Sequence, residues 1–139
     1  MSISVVYWSG TGNTQAMAEA VVEGIKAAGQ EAELLEVGNA DAKTVAAVDA
    51  LALGCPAMGA EVLEESEMEP FVEELESLVS GKKILLFGSY GWGDGEWMRN
   101  WEESCKEAGA NLVCDSVICQ EEPDDEATDA CKALGAALV

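Results

Sequence analysis

Apolar positions fall into five short blocks, and each block is followed by a stretch with helical spacing. Residues 3–7 (I-S-V-V-Y) read as a buried strand. In 14–28, Met17, Val21, Ile25 and Ala28 share one face, Gln15, Glu19, Glu23 and Lys26 lie opposite, and Gly29 ends the helix. A second strand is predicted over "EAELLEV" (31–37), then a polar link or short helix at 39–47 and a third strand, "DALALG", at 49–54. The helix near 66–79 carries Phe71, Leu75 and Leu78 as its stripe. Its start reads two ways: Ser66 with Glu69 resembles a capping box, whereas Pro70 prefers the first helical position. "KKILLFG" (82–88) gives a fourth strand, and the helix at 95–108 aligns Trp97, Trp101, Cys105 and Ala108. "NLVCDSVI" (111–118) gives a fifth strand, and 125–138 a last helix with Ala127, Ala130, Cys131 and Leu134 inward.

Strand and helix thus alternate five times, without repeats or linkers. This predicts one α/β domain over 1–139, a parallel sheet covered by helices on both faces. Ligands of such sheets bind outside the carboxyl ends of the strands, where strand order reverses. The loops 8–14, 55–66, 89–95 and 119–124 are therefore where chemistry is expected.

Composition narrows the possibilities. Seven basic against 27 acidic residues, a formal charge of −20, argues against nucleic acid, whose binding rests on phosphate neutralisation. Between Lys43 and Lys82 there is no basic residue, while eight glutamates crowd 61–76, and a second acidic cluster occupies 121–129. Both clusters suit a solvated surface, or a face that docks basic partners and is weakened by salt. The absence of histidine removes imidazole ligands and imidazole acid–base catalysis. Five cysteines without a C-x-x-C pair read as small buried hydrophobes rather than a zinc or dithiol site. With no apolar run of membrane-span length and no leader-like N-terminus, the expectation is a soluble cytoplasmic protein.

The first loop reads "SGTGNT" (9–14). A glycine-rich turn entering a helix presents free N–H groups and the positive end of the macrodipole, and Ser9, Thr11, Asn13 and Thr14 add donors. It lacks the Walker lysine and does not complete G-x-G-x-x-G, leaving a neutral cradle for one terminal phosphate. Trp8, at its lip, leaves packing and ligand roles both open. In "CPAMGAE" (55–61), Glu61 stands where a low-molecular-weight tyrosine phosphatase needs Arg, and Cys55 where a receiver domain needs Asp. Met58 offers a polarizable thioether there, and Gly59 takes positive φ cheaply. In "SYGWGDGE" (89–96), Trp92 between glycines suits stacking on a ligand, whereas Trp97 and Trp101 at helical spacing suit the core. A phosphate socket, a Met opposite a Trp, and glycines exposing amides fit flavin mononucleotide (FMN). No nucleophile with a base and no metal set accompanies them.

At these residues the chain resembles the flavodoxins of the short-chain type. The resemblance runs from Val5 to the C-terminus through "VYWSGTGNT", "GCPAMG", "EVLEESEMEPF", "GKKILLFGSYGWGDGEWMRNWEE" and the "EEPD" turn. It implies a three-layer α/β/α sandwich with a five-stranded sheet of order 2-1-3-4-5, an order of which flavodoxin is itself the type example. It also implies non-covalent FMN and one-electron shuttling between semiquinone and hydroquinone, the protein acting as carrier and not as catalyst. A small FMN-dependent reductase of nicotinamide or quinone substrates is the alternative, but no second phosphate-binding or basic pocket supports it. By the same resemblance, Ser9, Thr11, Asn13, Thr14 and the amides of Gly10 and Gly12 would hold the phosphate. Met58 would cover the inner ring face and Trp92 the outer. Glu61 would accept from the pyrimidine N3–H, Gly91 and Gly93 would meet its neighbours, and the Gly59–Ala60 peptide would turn toward N5. Ala57 and Ser89 would lie near the ribityl chain, with Trp8, Pro56 and Tyr90 completing the site. Two departures stand out: Pro56 offers no hydroxyl beside the phosphate, and Glu121 occupies a position where related sequences can have Asn near the ribityl or ring edge, so no contact is assigned to it. Implied partners are redox proteins with basic docking surfaces, met by a monomer, with neither nucleic acid nor membrane involved.

Overall fold

The computed structural model describes residues 2–58, 62–91, 93–112 and 114–139. Strand β1 (Ile3–Tyr7) is buried at every position, as a strand covered on both faces requires. It lies between β2 (Glu33–Glu36) and β3 (Ala50–Gly54), while β4 (Lys83–Tyr90) and β5 (Val117–Gln120) continue the sheet beyond β3. The order is therefore β2-β1-β3-β4-β5, with every pairing parallel. Order reverses at β1 and β3, so the carboxyl ends of these strands flank a crevice.

Alternation along the strands divides the core in two. Val5, Ala52 and Leu85 stand side by side in register and face helices α1 (Asn13–Ala27) and α5 (Asp125–Leu138). Val6, Leu53 and Leu86, next along, face α2 (Ala42–Ala46), α3 (Met68–Glu76) and α4 (Glu96–Glu107). The α1 and α5 backbones nearly touch. A Cβ added at Gly24 would lie 2.0 Å from the Lys132 carbonyl oxygen, and one at Gly135 would lie 2.1 Å from that of Val21.

Several predicted elements differ from those observed. β2 stops at Glu36 because Val37–Asn39 closes a 3-10 turn. α1 buries Met17, Val21 and Ile25 but leaves Ala28 outside the helix and exposed. α3 ends at Glu76, so Leu78 is exposed, and its stripe is Met68, Phe71, Val72 and Leu75. β4 runs two residues beyond the predicted end, through Ser89 and Tyr90, which pair with Cys119 and Gln120. The fifth strand is displaced from 111–118 to 117–120. Asn111 makes only an isolated bridge to Lys83, Leu112 packs into the α3–α4 core, and Ser116 Oγ donates to Glu102 Oε2 at 2.9 Å, turning the chain away from the sheet. Alternation of apolar residues does not by itself separate a paired strand from an apolar loop that packs on a helix.

Neither predicted start of α3 holds. Pro70 is the third residue of the helix, and no side chain of the flanking residue Glu67 caps it. Glu64 does so from upstream: its Oε1 accepts from the Ser66 amide at 2.6 Å, Ser66 Oγ at 2.5 Å and the Glu67 amide at 2.7 Å. Among the described residues, no helix is long and apolar enough to cross a membrane.

Candidate functional site

A pocket of about 230 Å³ opens at the carboxyl ends of β1, β3 and β4. It brings together Trp8, Gly10, Thr11, Asn13, Pro56, Ala57, Met58, Ser89, Tyr90 and Gly91, all predicted, with Glu121. Among the described residues, no lysine or arginine lines it. Thr14 is buried behind it, with Oγ1 3.4 Å from Ser89 Oγ, which ties the first loop to β4. Ser9 and Gly12 brace the loop instead of lining the pocket: Ser9 Oγ accepts from the Gly12 amide at 3.0 Å. Gly93 is exposed and lies outside the lining. The predicted contacts of Gly59, Ala60, Glu61 and Trp92 lie outside the described residues.

The first loop owes its shape to its glycines. Gly12 precedes α1 with φ of 95°, the left-handed region that a side chain disfavours. A Cβ at Gly10 would lie 3.0 Å from the Trp8 ring, so a side chain there would crowd the indole in its observed position. α1 has neither a capping side chain nor an acidic residue in its first turn, in a chain with 27 acidic residues. By contrast, Asp41 caps α2 and Asp124 caps α5, each through its carboxylate. The N-terminus of α1 thus keeps its amides and dipole directed at an external acceptor, the arrangement that binds anions.

The second loop is pinned at both ends. The Cys55 amide donates to the Phe87 carbonyl at 3.2 Å and the Ala57 amide to the Ser89 carbonyl at 3.0 Å, extending the β3–β4 ladder past Gly54. Met58 and Val62 exchange amide–carbonyl bonds of 2.9 and 3.0 Å. Trp97 Nε1 donates to the Cys55 carbonyl at 3.0 Å from below, and its ring sits 5.7 Å from that of Tyr90, confirming Trp97 as core. Burial pushes the Cys55 thiol up to about 12, so it is an inert packing group. Cys105 and Cys131 are likewise buried, but Cys114 is exposed and Cys119 half-buried, so the buried-hydrophobe reading holds for three of the five.

On the third side, the Glu121 amide donates to the Tyr90 carbonyl at 2.8 Å and Gln120 Nε2 to the Gly91 carbonyl at 3.3 Å. Glu121 has φ of 59°, and among the described residues it alone combines a side chain with positive φ. The resemblance puts position 121 near the ribityl or ring edge without assigning Glu121 a contact, and the pocket lining includes it. The "EEPD" turn signalled a bend, but not which carboxylate the bend turns inward.

These residues fit FMN. The uncapped helix and Thr11, Asn13 and Thr14 suit a phosphate, while Pro56, Ala57, Met58 and the rings of Trp8 and Tyr90 give a flat ring an apolar surface. Comparison with known proteins agrees. A family model described as flavodoxin matches residues 5–135. The flavodoxin of Clostridium beijerinckii is 50% identical over 127 residues, covering 91% of this chain and 92% of that protein. That of Megasphaera elsdenii is 45% identical over 135 residues, covering 97% and 96%. The solution structure of the two-electron-reduced Megasphaera elsdenii flavodoxin superposes with a TM-score of 0.90 at 46% identity, covering 98% of this chain and 97% of that one. The chain belongs to the flavodoxin family, proteins that carry electrons on bound FMN and turn over no substrate of their own.

Proposed function

We propose that the protein is a low-potential one-electron carrier, a single-domain cytoplasmic monomer whose partners present basic docking surfaces. The observation that carries this reading is a pocket at the switch point lined, among the described residues, by no cation, set against an uncapped helix N-terminus. Thr11, Asn13, Thr14 and the amides of the first turn of α1 bind the phosphate, with Ser9 and Gly12 holding the loop in shape. Met58 and Trp8 supply apolar surface to the ring, and Ser89 and Ala57 border the ribityl chain. Trp92, Glu61, Gly59, Ala60 and Gly93 complete the ring site on sequence grounds alone. FMN supplies the redox chemistry; the protein sets its potential.

Holding the phosphate with neutral groups leaves the negative field around the ring intact. A carboxylate about 10 Å from a developing anion, at an effective dielectric of about 40, opposes it by about 0.8 kcal/mol. For a one-electron couple that is about 35 mV. Several such charges lower the second reduction step by on the order of 100 mV after screening. Potentiometric reduction of the purified protein is the test. Two separate one-electron steps are expected, the second well below that of free FMN. One merged two-electron step at the free-flavin potential would contradict the reading.

A further inference from the structure

Trp97 is 1% exposed and lies behind the cofactor pocket rather than in its lining, yet it ties together two of the loops that form it. Its indole Nε1 donates to the Cys55 carbonyl at 3.0 Å, at the residue where β3 gives way to the pocket-lining run Pro56, Ala57 and Met58. Its ring lies 5.7 Å from that of Tyr90, which lines the pocket from the end of β4. Position 88 leaves room for this contact. A Cβ at Gly88 would lie 2.2 Å from the Cys55 carbonyl oxygen and 3.1 Å from the Trp97 ring, so a side chain there would displace the pair. Trp101, about one turn further along α4, provides the contrast. It is 2% exposed, but among the described residues its indole Nε1 has no hydrogen-bond partner. Packing alone accounts for Trp101, whereas Trp97 also makes a directed bond to the cofactor loop.

We infer that Trp97 is a positioning residue for the flavin ring, acting through the Cys55 carbonyl on Ala57 and Met58. Without the indole N–H, that carbonyl loses a buried donor, and the chain relieves the deficit by letting the loop turn toward water. The next tie along, the Ala57 amide on the Ser89 carbonyl at 3.0 Å, loosens with it. A loop already held in its ligand-ready shape binds more tightly, because less ordering remains to be done on binding. The effect belongs to the ring end of the pocket. The phosphate end is built separately, by the first loop and the N-terminus of α1.

The inference rests on the reading of the pocket as an FMN site, but its first readout needs no flavin. Amide hydrogen exchange is measured on the full chain, FMN-free and FMN-loaded, for the unaltered protein, Trp97→Phe and Trp101→Phe. The two variants make the same change on the same helix, and only Trp97→Phe removes a bond that is made. Protection of the Ala57 amide is expected to fall about fivefold in Trp97→Phe and to hold in Trp101→Phe. FMN and riboflavin are both expected to bind about fivefold more weakly to Trp97→Phe, since the lost contact serves the ring and not the phosphate. Water entering by the loosened loop shields the ring from the surrounding carboxylates, so the second reduction potential is expected to rise by about 18 mV, or about twofold at ~59 mV per tenfold. Trp101→Phe leaves affinities and potential in place. Ala57 exchange that is equal in the two variants, a loss confined to FMN, or an unmoved potential would overturn the inference. Should Trp97→Phe not fold, the unaltered protein decides. Its Trp97 indole N–H and Ala57 amide are expected to show protection within about tenfold of each other, and an Ala57 amide exchanging freely beside a protected indole would overturn the inference. Failure of the unaltered protein to take up FMN would instead count against the pocket reading, whatever Ala57 does.

Discussion

Replacing Glu64 by glutamine removes one charge from a carboxylate that organises the exit of the cofactor loop. Glu64 is 3% exposed, and its Oε1 accepts three short hydrogen bonds from Ser66 and Glu67. Its own amide meets Cys55 Sγ at 3.4 Å, linking it to the start of the loop. Burial by itself pushes its carboxyl up. The bonds from Ser66 Oγ and from the amides of Glu67, Ser66 and Met68 outweigh it and hold the group below the usual carboxylate range. A hydrogen bond to a charged group contributes about 1.5–3 kcal/mol and a neutral one about 1 kcal/mol. A glutamine oxygen in the same place keeps three neutral bonds, a gross loss of about 3 kcal/mol. Cheaper burial of the neutral amide offsets part of that, so the expected net loss is about 2 kcal/mol. The sign with pH follows from the depressed native value. The advantage of glutamate is complete above the unfolded pKa of about 4.3 and fades as pH falls through the lower native value. Urea unfolding of both proteins, FMN-loaded, at neutral pH and at a series of acidic pH values measures the gap. A gap that is absent at neutral pH, or that persists unchanged well below pH 4, would refute the reasoning.

Two further substitutions test the site and the scaffold. Glu121→Asn removes a charge from the pocket lining while retaining a residue that tolerates the left-handed backbone. It is expected to raise the lower potential by about 35 mV at low salt, and less at high salt. Potentiometry showing no movement would remove Glu121 from the flavin's field. Gly135→Ala forces a methyl to 2.1 Å from the Val21 carbonyl oxygen and must push α5 off α1. An expected loss of about 3 kcal/mol or slightly more in urea unfolding follows from overpacking. An unchanged midpoint would mean that the two helices separate freely.

Much of this molecule is legible in its sequence because its elements are short, strongly patterned and locally punctuated. The α5 boundaries follow from a run of acids before an apolar stripe, and Asp124 indeed caps the Ala127 amide. The pocket lining in the first loop follows from glycine and hydroxyl placement in 8–14, which is local chemistry, whereas in the second loop only the Met58 thioether is read from the residues and Pro56 and Ala57 come with the family resemblance. What sequence did not show depends on distant partners. The fifth strand begins at Val117 and not at Asn111, while Leu112 packs against the mixed sheet and helix core on the α3–α4 side. The α3 cap comes from Glu64, a carboxylate in an acidic run that looked like solvated surface. The resemblance puts position 121 near the cofactor, but the left-handed backbone that Glu121 adopts there is not encoded in spacing. The contact of α1 with α5 through Gly24 and Gly135 gives no periodic signal, since glycine inside a helix reads only as a weak position.

The central claim is that an uncapped helix and a neutral loop, with no cation in the pocket lining among the described residues, hold the cofactor by its phosphate. Titration of the FMN-free protein with FMN and with riboflavin, which lacks that phosphate, tests it most directly. Two or three charge-assisted bonds from amides and hydroxyls correspond to at least about a hundredfold difference in Kd. The account predicts tight, stoichiometric FMN binding and riboflavin weaker by that factor or more. Equal affinities for the two flavins, or no uptake of FMN by folded protein, would contradict it.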